Sequence, residues 1–89
     1  MIKILKFYAD WCGPCVRLDP IIENGAKIHG IEVQSLDIDA NPEMVAKYKV
    51  RGIPTTVFLK DDVPVMAKLG LFTSEQFEEF VECLNLLYQ

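Results

Sequence analysis

Residues 11–15 have the sequence Trp11-Cys12-Gly13-Pro14-Cys15, which holds two of the three cysteines of the chain. Only two residues separate the two thiols, and a short apolar run that favours a strand precedes them. A pair at this spacing can close into a disulfide and reopen without unfolding of the surrounding domain. We therefore interpret Cys12 and Cys15 as a candidate site for two-electron transfer and not as a structural crosslink.

Length and composition favour one globular domain. The chain has 89 residues, of which 51% are hydrophobic, and this is too many for a disordered chain. No apolar stretch approaches the roughly 20 residues that a membrane span needs. Lys3 and Lys6 interrupt the N-terminal apolar run, and it lacks a small-residue cleavage site, so we predict no signal peptide. We expect a single domain over residues 1–89, located in the cytoplasm and not in a membrane.

The charge pattern argues against a nucleic-acid partner. The net charge is -4, and the lysines and arginines are scattered without a basic block, so phosphate binding is not expected. Three cysteines in a chain without an export signal do not suggest a disulfide framework.

Apolar patterns and turn residues predict seven elements in the order β-α-β-α-β-β-α. The predicted strands cover residues 2–8, 31–37, 55–60 and 63–69, and the predicted helices cover residues 13–28, residues 42–48 and the segment after Thr73. We expect Asn41 to cap the second helix and Pro20 to kink the first.

The connections predict how the strands pair. The first β-α-β unit requires a parallel pair, and the two-residue turn at Asp61-Asp62 makes the last pair antiparallel. Pro64 favours an edge position for the last strand. The predicted fold class is therefore α/β, with a central four-stranded mixed sheet flanked by helices.

The last segment has the clearest helical pattern. Thr73 and Gln76 are spaced as a capping box, and Phe72 and Phe77 as its hydrophobic staple. Apolar residues then recur at helical spacing, namely Phe77, Phe80, Val81, Leu84, Leu87 and Tyr88. Cys83 lies near the edge of this stripe, where we expect a small buried hydrophobe; regulatory oxidation or intermolecular pairing is the alternative.

The position of Cys12 suits nucleophilic chemistry. A thiolate is the attacking species, and Cys12 lies where a strand passes into a helix whose first N–H groups and dipole favour an anion. Cys15 lies one turn further along and is more shielded. We expect Cys12 to attack a substrate disulfide and Cys15 to resolve the mixed disulfide.

Metal binding and hydrolysis are weaker interpretations. A zinc half-site also uses two cysteines at this spacing, but it needs two further ligands. Only His29 and Cys83 remain, and they are not paired at ligand spacing, so we expect no metal. His29 follows a predicted helix end beside Gly30, which favours a solvated loop residue over the base of a Cys–His hydrolase.

Two segments of the chain resemble the signatures of the thioredoxin family. Residues 11–15 are identical to the family's active-site motif, and Arg51-Gly52-Ile53-Pro54-Thr55 resembles its second signature. Pro20 and Gly70 stand where the family has its helix-kinking proline and the glycine beside the site. The resemblance extends from about Ile4 to Leu84. It implies a minimal, glutaredoxin-sized thioredoxin fold, since the first predicted strand begins almost at Met1.

The resemblance also implies the parts of the site. Cys12 and Cys15 form the redox disulfide, supported by Gly13 and Pro14, and Pro54 follows a cis peptide bond that faces the pair and blocks metal capture. The implied substrate-binding surface consists of Trp11, Gly52, Ile53, Pro54 and Gly70.

The implied function is that of a protein disulfide reductase. Its partners are client proteins with disulfides and a separate thioredoxin reductase or equivalent electron donor, because the chain has no dinucleotide fingerprint and no obvious room for a flavin of its own. We expect a monomer. A glutathione-linked, glutaredoxin-like electron donor and a thioredoxin-fold binding module are the alternatives.

The sequence departs from the family behind the second cysteine. Lys6 stands six residues before Cys12, where the family usually has a buried Asp, and Ser35 replaces the Lys that partners that Asp. Lys6 either extends to solvent, or lies near Cys15 as part of the active-site support. In the second case it favours the thiolates as an ammonium ion, or accepts the proton of Cys15 as a lysine of lowered pKa.

Overall fold

A computed structural model describes residues 1–88, which form four strands and three helices in the predicted order. The strands are β1 (Ile2–Tyr8), β2 (Glu32–Asp37), β3 (Thr55–Lys60) and β4 (Val63–Leu69). The helices are α1 (Gly13–His29), α2 (Pro42–Lys47) and α3 (Ser74–Leu87). Each predicted element is confirmed, with boundaries that differ by at most one residue. None of the helices in the described part of the chain is long and apolar enough to span a bilayer.

The four strands form one mixed sheet in the order β2-β1-β3-β4. Strand β1 pairs in parallel with β2 and antiparallel with β3, and β3 pairs antiparallel with β4. The predicted α/β class with a four-stranded mixed sheet is therefore confirmed, as is the edge position of β4 that Pro64 predicts.

Strand β1 is buried on both faces, which explains its nearly continuous apolar sequence. On one face Ile4 packs with Leu18 and Ile22 of α1 and with Phe77 of α3. On the other face a second cluster packs against α2; its buried members are Leu5, Phe7, Leu36, Val57 and Leu59. Because side chains alternate along a strand, Lys6 and Tyr8 lie on the same face as Ile4, beneath α1.

Local residue chemistry explains the turn between β3 and β4 and the start of α3. Asp61 and Asp62 have φ values of 51° and 69°, as a two-residue hairpin with left-handed central residues requires. The capping box is confirmed, because Gln76 N donates to Thr73 Oγ1 over 3.0 Å and Thr73 N donates to Gln76 Oε1 over 2.8 Å. The staple is confirmed as well, since the rings of Phe72 and Phe77 stack with centroids 6.2 Å apart.

Several expectations about single residues are wrong. Cys83 is exposed and not buried, because it precedes Leu84 by one residue and so lies about 100° around α3 from that buried side chain. Leu87 and Tyr88 are also exposed, since Leu84 is the last buried residue of the helix.

The expectations for His29 and Asn41 need correction too. His29 is the last residue of α1 and not a loop residue, and its Nε2 lies 2.8 Å from Glu78 Oε1 of α3. The helix extends this far because Gly30 ends it in the left-handed conformation, with φ 65°. Asn41 stands at the cap position of α2, but its Nδ2 donates to the carbonyl of Asp37 and makes no capping bond. Helix α1 continues through Pro20, and the kink there stays a prediction.

Candidate active site

The two cysteines of residues 11–15 form a disulfide at the start of α1. Their Cα atoms are 5.3 Å apart, and each residue has 4% of its surface exposed, so the expectation that Cys15 is more shielded than Cys12 is wrong. Cys12 is the N-cap residue in an extended conformation, and the backbone N–H of Cys15 donates to Cys12 Sγ over 3.2 Å. The sulfur of Cys12 therefore takes the place that a serine or aspartate oxygen takes in an ordinary helix cap.

This placement separates the chemistry of the two sulfurs. The first N–H groups of a helix have no carbonyl partner within the helix, and its dipole places partial positive charge there. When the disulfide opens, these groups stabilise a thiolate on Cys12. Cys15 belongs to the first turn itself, and its backbone N–H donates to the sulfur of Cys12 and not to its own sulfur.

Residues from three other segments enclose the pair. Cys12 and Cys15 pack with Ala9, and partly buried Tyr8, Ile38 and Ile53 surround them. The Ile53–Pro54 peptide bond is cis, and Pro54 is buried. Gly70 N donates to the carbonyl of Pro54 over 2.8 Å, which fixes the end of β4 against the start of β3.

The residues of the expected docking surface have different exposures. Trp11 is 72% exposed, whereas Gly52, Ile53 and Gly70 are half-buried. Sequence reasoning missed two exposed apolar neighbours of Gly70, namely Leu69 and Leu71, which are 63% and 50% exposed. The sequence shows a leucine on each side of Gly70, but this pattern does not indicate whether these leucines are exposed or belong to the core.

Lys6 is the only charged residue that is buried in the described part of the chain. Its Nζ lies 3.0 Å from Asp19 Oδ1 and 3.0 Å from Glu23 Oε1, both on α1. The expectation that Lys6 extends to solvent is therefore wrong. Ser35 lies beside Lys6 in the parallel register of β1 and β2 but is exposed and does not replace a charged partner.

The charge state of Lys6 follows from these contacts. Burial lowers the pKa of Lys6, but the hydrogen bonds and charges of Asp19 and Glu23 outweigh burial and raise the pKa above its ordinary value of 10.5. This direction argues against the alternative that Lys6 accepts the proton of Cys15 through a lowered pKa. Its two carboxylate partners were missed in the sequence, although their spacing of four and eight residues after Cys15 places all three on one helix face.

Within residues 1–88, no group of three or more His, Cys, Asp or Glu side chains is arranged to hold a metal ion.

The chain matches proteins of known family over most of its length. The thioredoxin family model matches residues 1–83. Thioredoxins of Staphylococcus epidermidis and Staphylococcus aureus are both 36% identical over 83 residues, which is 91% of this chain and 80% of each relative.

Solved structures give the same result. A mutant thioredoxin from Halobacterium salinarum superposes with a TM-score of 0.86 at 35% identity, over 92% of this chain and 73% of that chain. Oxidised thioredoxin from Plasmodium falciparum gives a TM-score of 0.80 at 28% identity, over 92% and 79%. With the Cys12–Cys15 disulfide at the start of α1, these matches show that the chain belongs to the thioredoxin family and is a thiol-disulfide oxidoreductase.

Proposed function

We propose that this protein reduces disulfides of client proteins through a mixed disulfide on Cys12 and is then re-reduced by a separate reductase. The observation that carries the proposal is the capping of α1 by Cys12 Sγ, with Cys15 N as donor over 3.2 Å. It makes Cys12 the sulfur that the helix stabilises as a thiolate, and a thiolate is the attacking species.

The cycle balances as two exchange steps. The Cys12 thiolate attacks one sulfur of the client disulfide, and the other client sulfur leaves as a thiolate and takes up a proton. Cys15 then loses its proton and attacks Cys12 Sγ, so that the Cys12–Cys15 disulfide forms and the second client thiolate is released. The reductase returns two electrons to the disulfide, and one proton is taken up, which restores the Cys12 thiolate and the Cys15 thiol.

The other predicted site residues have distinct parts in this proposal. Gly13 and Pro14 keep the two cysteines within the first helical turn, where the missing N–H of a proline costs no hydrogen bond. Ile53 and Pro54 form the wall beside the disulfide and present backbone to an extended client segment. Lys6 supports the site from β1.

An apolar rim around the disulfide receives the client in this proposal. We define the docking surface as Trp11, Gly52, Ile53, Pro54, Leu69, Gly70 and Leu71. Exposed apolar groups beside a reactive centre are typical of a binding surface, and Trp11 supplies a large, rigid contact area. We place this function in the cytoplasm, because thiols are kept reduced there. The proposed functional unit is a monomer with one domain over residues 1–89.

Reduction of insulin with dithiothreitol as electron donor tests the proposal. The wild-type protein should accelerate insulin precipitation, and the Cys12→Ser Cys15→Ser double variant should match the reaction without protein. Equal rates for wild type and double variant would overturn the proposal and favour a binding module. Re-reduction by thioredoxin reductase but not by glutathione is expected; the reverse would identify a glutaredoxin-like donor.

A further inference from the structure

We infer that Lys6, Asp19 and Glu23 form a fixed, net negative charge behind Cys15, which keeps Cys15 protonated while Cys12 carries the thiolate. Asp19 is the decisive member and acts as a positioning residue, because it works through Cys15 and touches no substrate. The inference rests on the proposed cycle, in which Cys15 resolves the mixed disulfide, and adds what controls that step.

The two carboxylates of the cluster lie on the same face of α1 as Cys15. Asp19 follows Cys15 by four residues, so the two side chains are neighbours on α1, with Cβ atoms about 5–6 Å apart. Glu23 lies one turn further, about 12 Å along the helix axis from Cys15. Lys6 reaches both carboxylates from β1, two residues before Tyr8, which packs against the cysteines.

The charges of the cluster do not cancel. One ammonium faces two carboxylates, which leaves one net negative charge, and Asp19 is the carboxylate nearer to Cys15 along α1. Lys6 is buried and held at 3.0 Å by both partners, so the carboxylates keep a fixed position. A nearby negative charge disfavours ionisation of a thiol, whereas the helix start favours ionisation of Cys12. The helix start therefore favours Cys12 as the attacking thiolate, and the negative cluster favours Cys15 as the protonated, resolving thiol.

Other groups near the pair do not replace this charge. Tyr8 packs against the cysteines, and Asp10 lies in the exposed loop before Trp11. Arg17 lies over Gly13, with Nη1 3.9 Å from where a Cβ would stand there. Strand β3 contributes Thr55 next to Pro54, which carries no charge. The Lys6–Asp19–Glu23 cluster differs from these groups because it contains a buried ammonium and because its carboxylates lie on the same helix face as Cys15.

Reaction of the reduced protein with Ellman's disulfide separates the two cysteines. The first thionitrobenzoate is released when Cys12 attacks, and the second when Cys15 displaces it from Cys12. All proteins compared, including the wild-type reference, carry Cys83→Ser, because the exposed third thiol would also react. The pH profile of the second phase reports the ionisation of Cys15, and that of the first phase reports Cys12.

Asp19→Asn should shift the second-phase profile to lower pH and accelerate that phase roughly threefold to tenfold at neutral pH, because about half of the Asp19 side chain is exposed and solvent screens its charge. Glu23→Gln is the matched control: it loses an equal contact with Lys6 but lies further from Cys15, so its effect should be smaller. Lys6→Met should slow the second phase, since it leaves both carboxylates uncompensated. The difference between Asp19→Asn and wild type should shrink in about 1 M salt.

Two results would overturn the inference. An Asp19→Asn profile that matches wild type means that the cluster only stabilises the fold. An Asp19→Asn second phase that is slower at every pH means that Asp19 accepts the proton of Cys15 instead. Release of fewer than two thionitrobenzoates per molecule of the wild-type reference would contradict the proposed function itself. Unfolding of each oxidised variant in denaturant checks the fold, and Asp19→Asn keeps the contact between Lys6 and Glu23.

Discussion

The backbone N–H of Cys15 points at the sulfur of Cys12, 3.2 Å away, so the sulfur that we propose as the attacking atom is also the cap of helix α1. The N–H groups and the dipole at the start of a helix stabilise negative charge on the group that caps it. In the proposed cycle, folding of residues 11–15 into the helix start therefore prepares Cys12 for attack before a client binds.

The pKa of the Cys12 thiol in the reduced protein should therefore lie below the usual value of about 8.5 for a free cysteine. The thiolate absorbance of the Cys15→Ser Cys83→Ser variant, followed against pH, measures it. The Cys12→Ser Cys83→Ser variant provides the control, in which Cys15 should ionise at higher pH than Cys12. Ionisation of Cys15 at the same pH or lower would contradict the assigned roles.

Replacement of Trp11 by alanine should lower kcat/KM for insulin by about tenfold, which is the cost of one well-placed aromatic contact. The side chain is 72% exposed, so the fold loses little. The rate with Ellman's disulfide should stay unchanged, because a small disulfide does not need the docking surface. Leu86→Ala is the control: Leu86 is similarly exposed but lies with His29 at the opposite end of α1. Equal losses for both variants would argue against the docking surface.

Local chemistry explains which parts of this architecture are predictable from sequence. The capping box at Thr73, the hairpin at Asp61 and the redox pair each depend on residues within a few positions of one another, and all three are confirmed. Strand β1 is predictable because both of its faces are buried, which leaves a nearly continuous apolar run.

The environment of Lys6 is not predictable in the same way. Its partners come from α1, and their contact depends on how that helix packs across β1, which no local pattern encodes. Cys83 illustrates a related limit. It lies at the edge of the apolar stripe of α3, where a rotation of one residue around the helix decides between core and solvent.

Loss of the Lys6 ammonium and loss of its two carboxylate partners should have different effects on the free energy of unfolding. Lys6→Met should change the free energy of unfolding by less than about 1 kcal/mol, because Asp19 and Glu23 are half-exposed and regain water. Asp19→Asn combined with Glu23→Gln should cost about 3 kcal/mol, since it leaves a buried ammonium without a counter-charge. Denaturant unfolding of the oxidised proteins measures both values. A larger loss for Lys6→Met than for the double variant would contradict this account of the cluster.

The contribution of Lys6 to stability should also depend on pH. Asp19 and Glu23 raise the pKa of Lys6 in the folded protein above its ordinary value of 10.5, despite burial. The stabilisation is therefore fully present below pH 10.5 and is lost as the pH rises through the raised pKa. The difference in unfolding free energy between wild type and Lys6→Met should stay constant at neutral pH and decrease above that value. A difference that grows in alkaline solution would show that the sign is wrong.

Capture of the mixed disulfide shows directly which cysteine attacks the client. The Cys15→Ser Cys83→Ser variant is incubated with a client that contains a disulfide, and intact mass and peptide mapping locate any covalent adduct. We expect a stable adduct on Cys12, and little or none with the matched Cys12→Ser Cys83→Ser variant, in which only Cys15 remains. An adduct that forms equally well on Cys15, or none on Cys12, would contradict the assignment of Cys12 as the attacking sulfur.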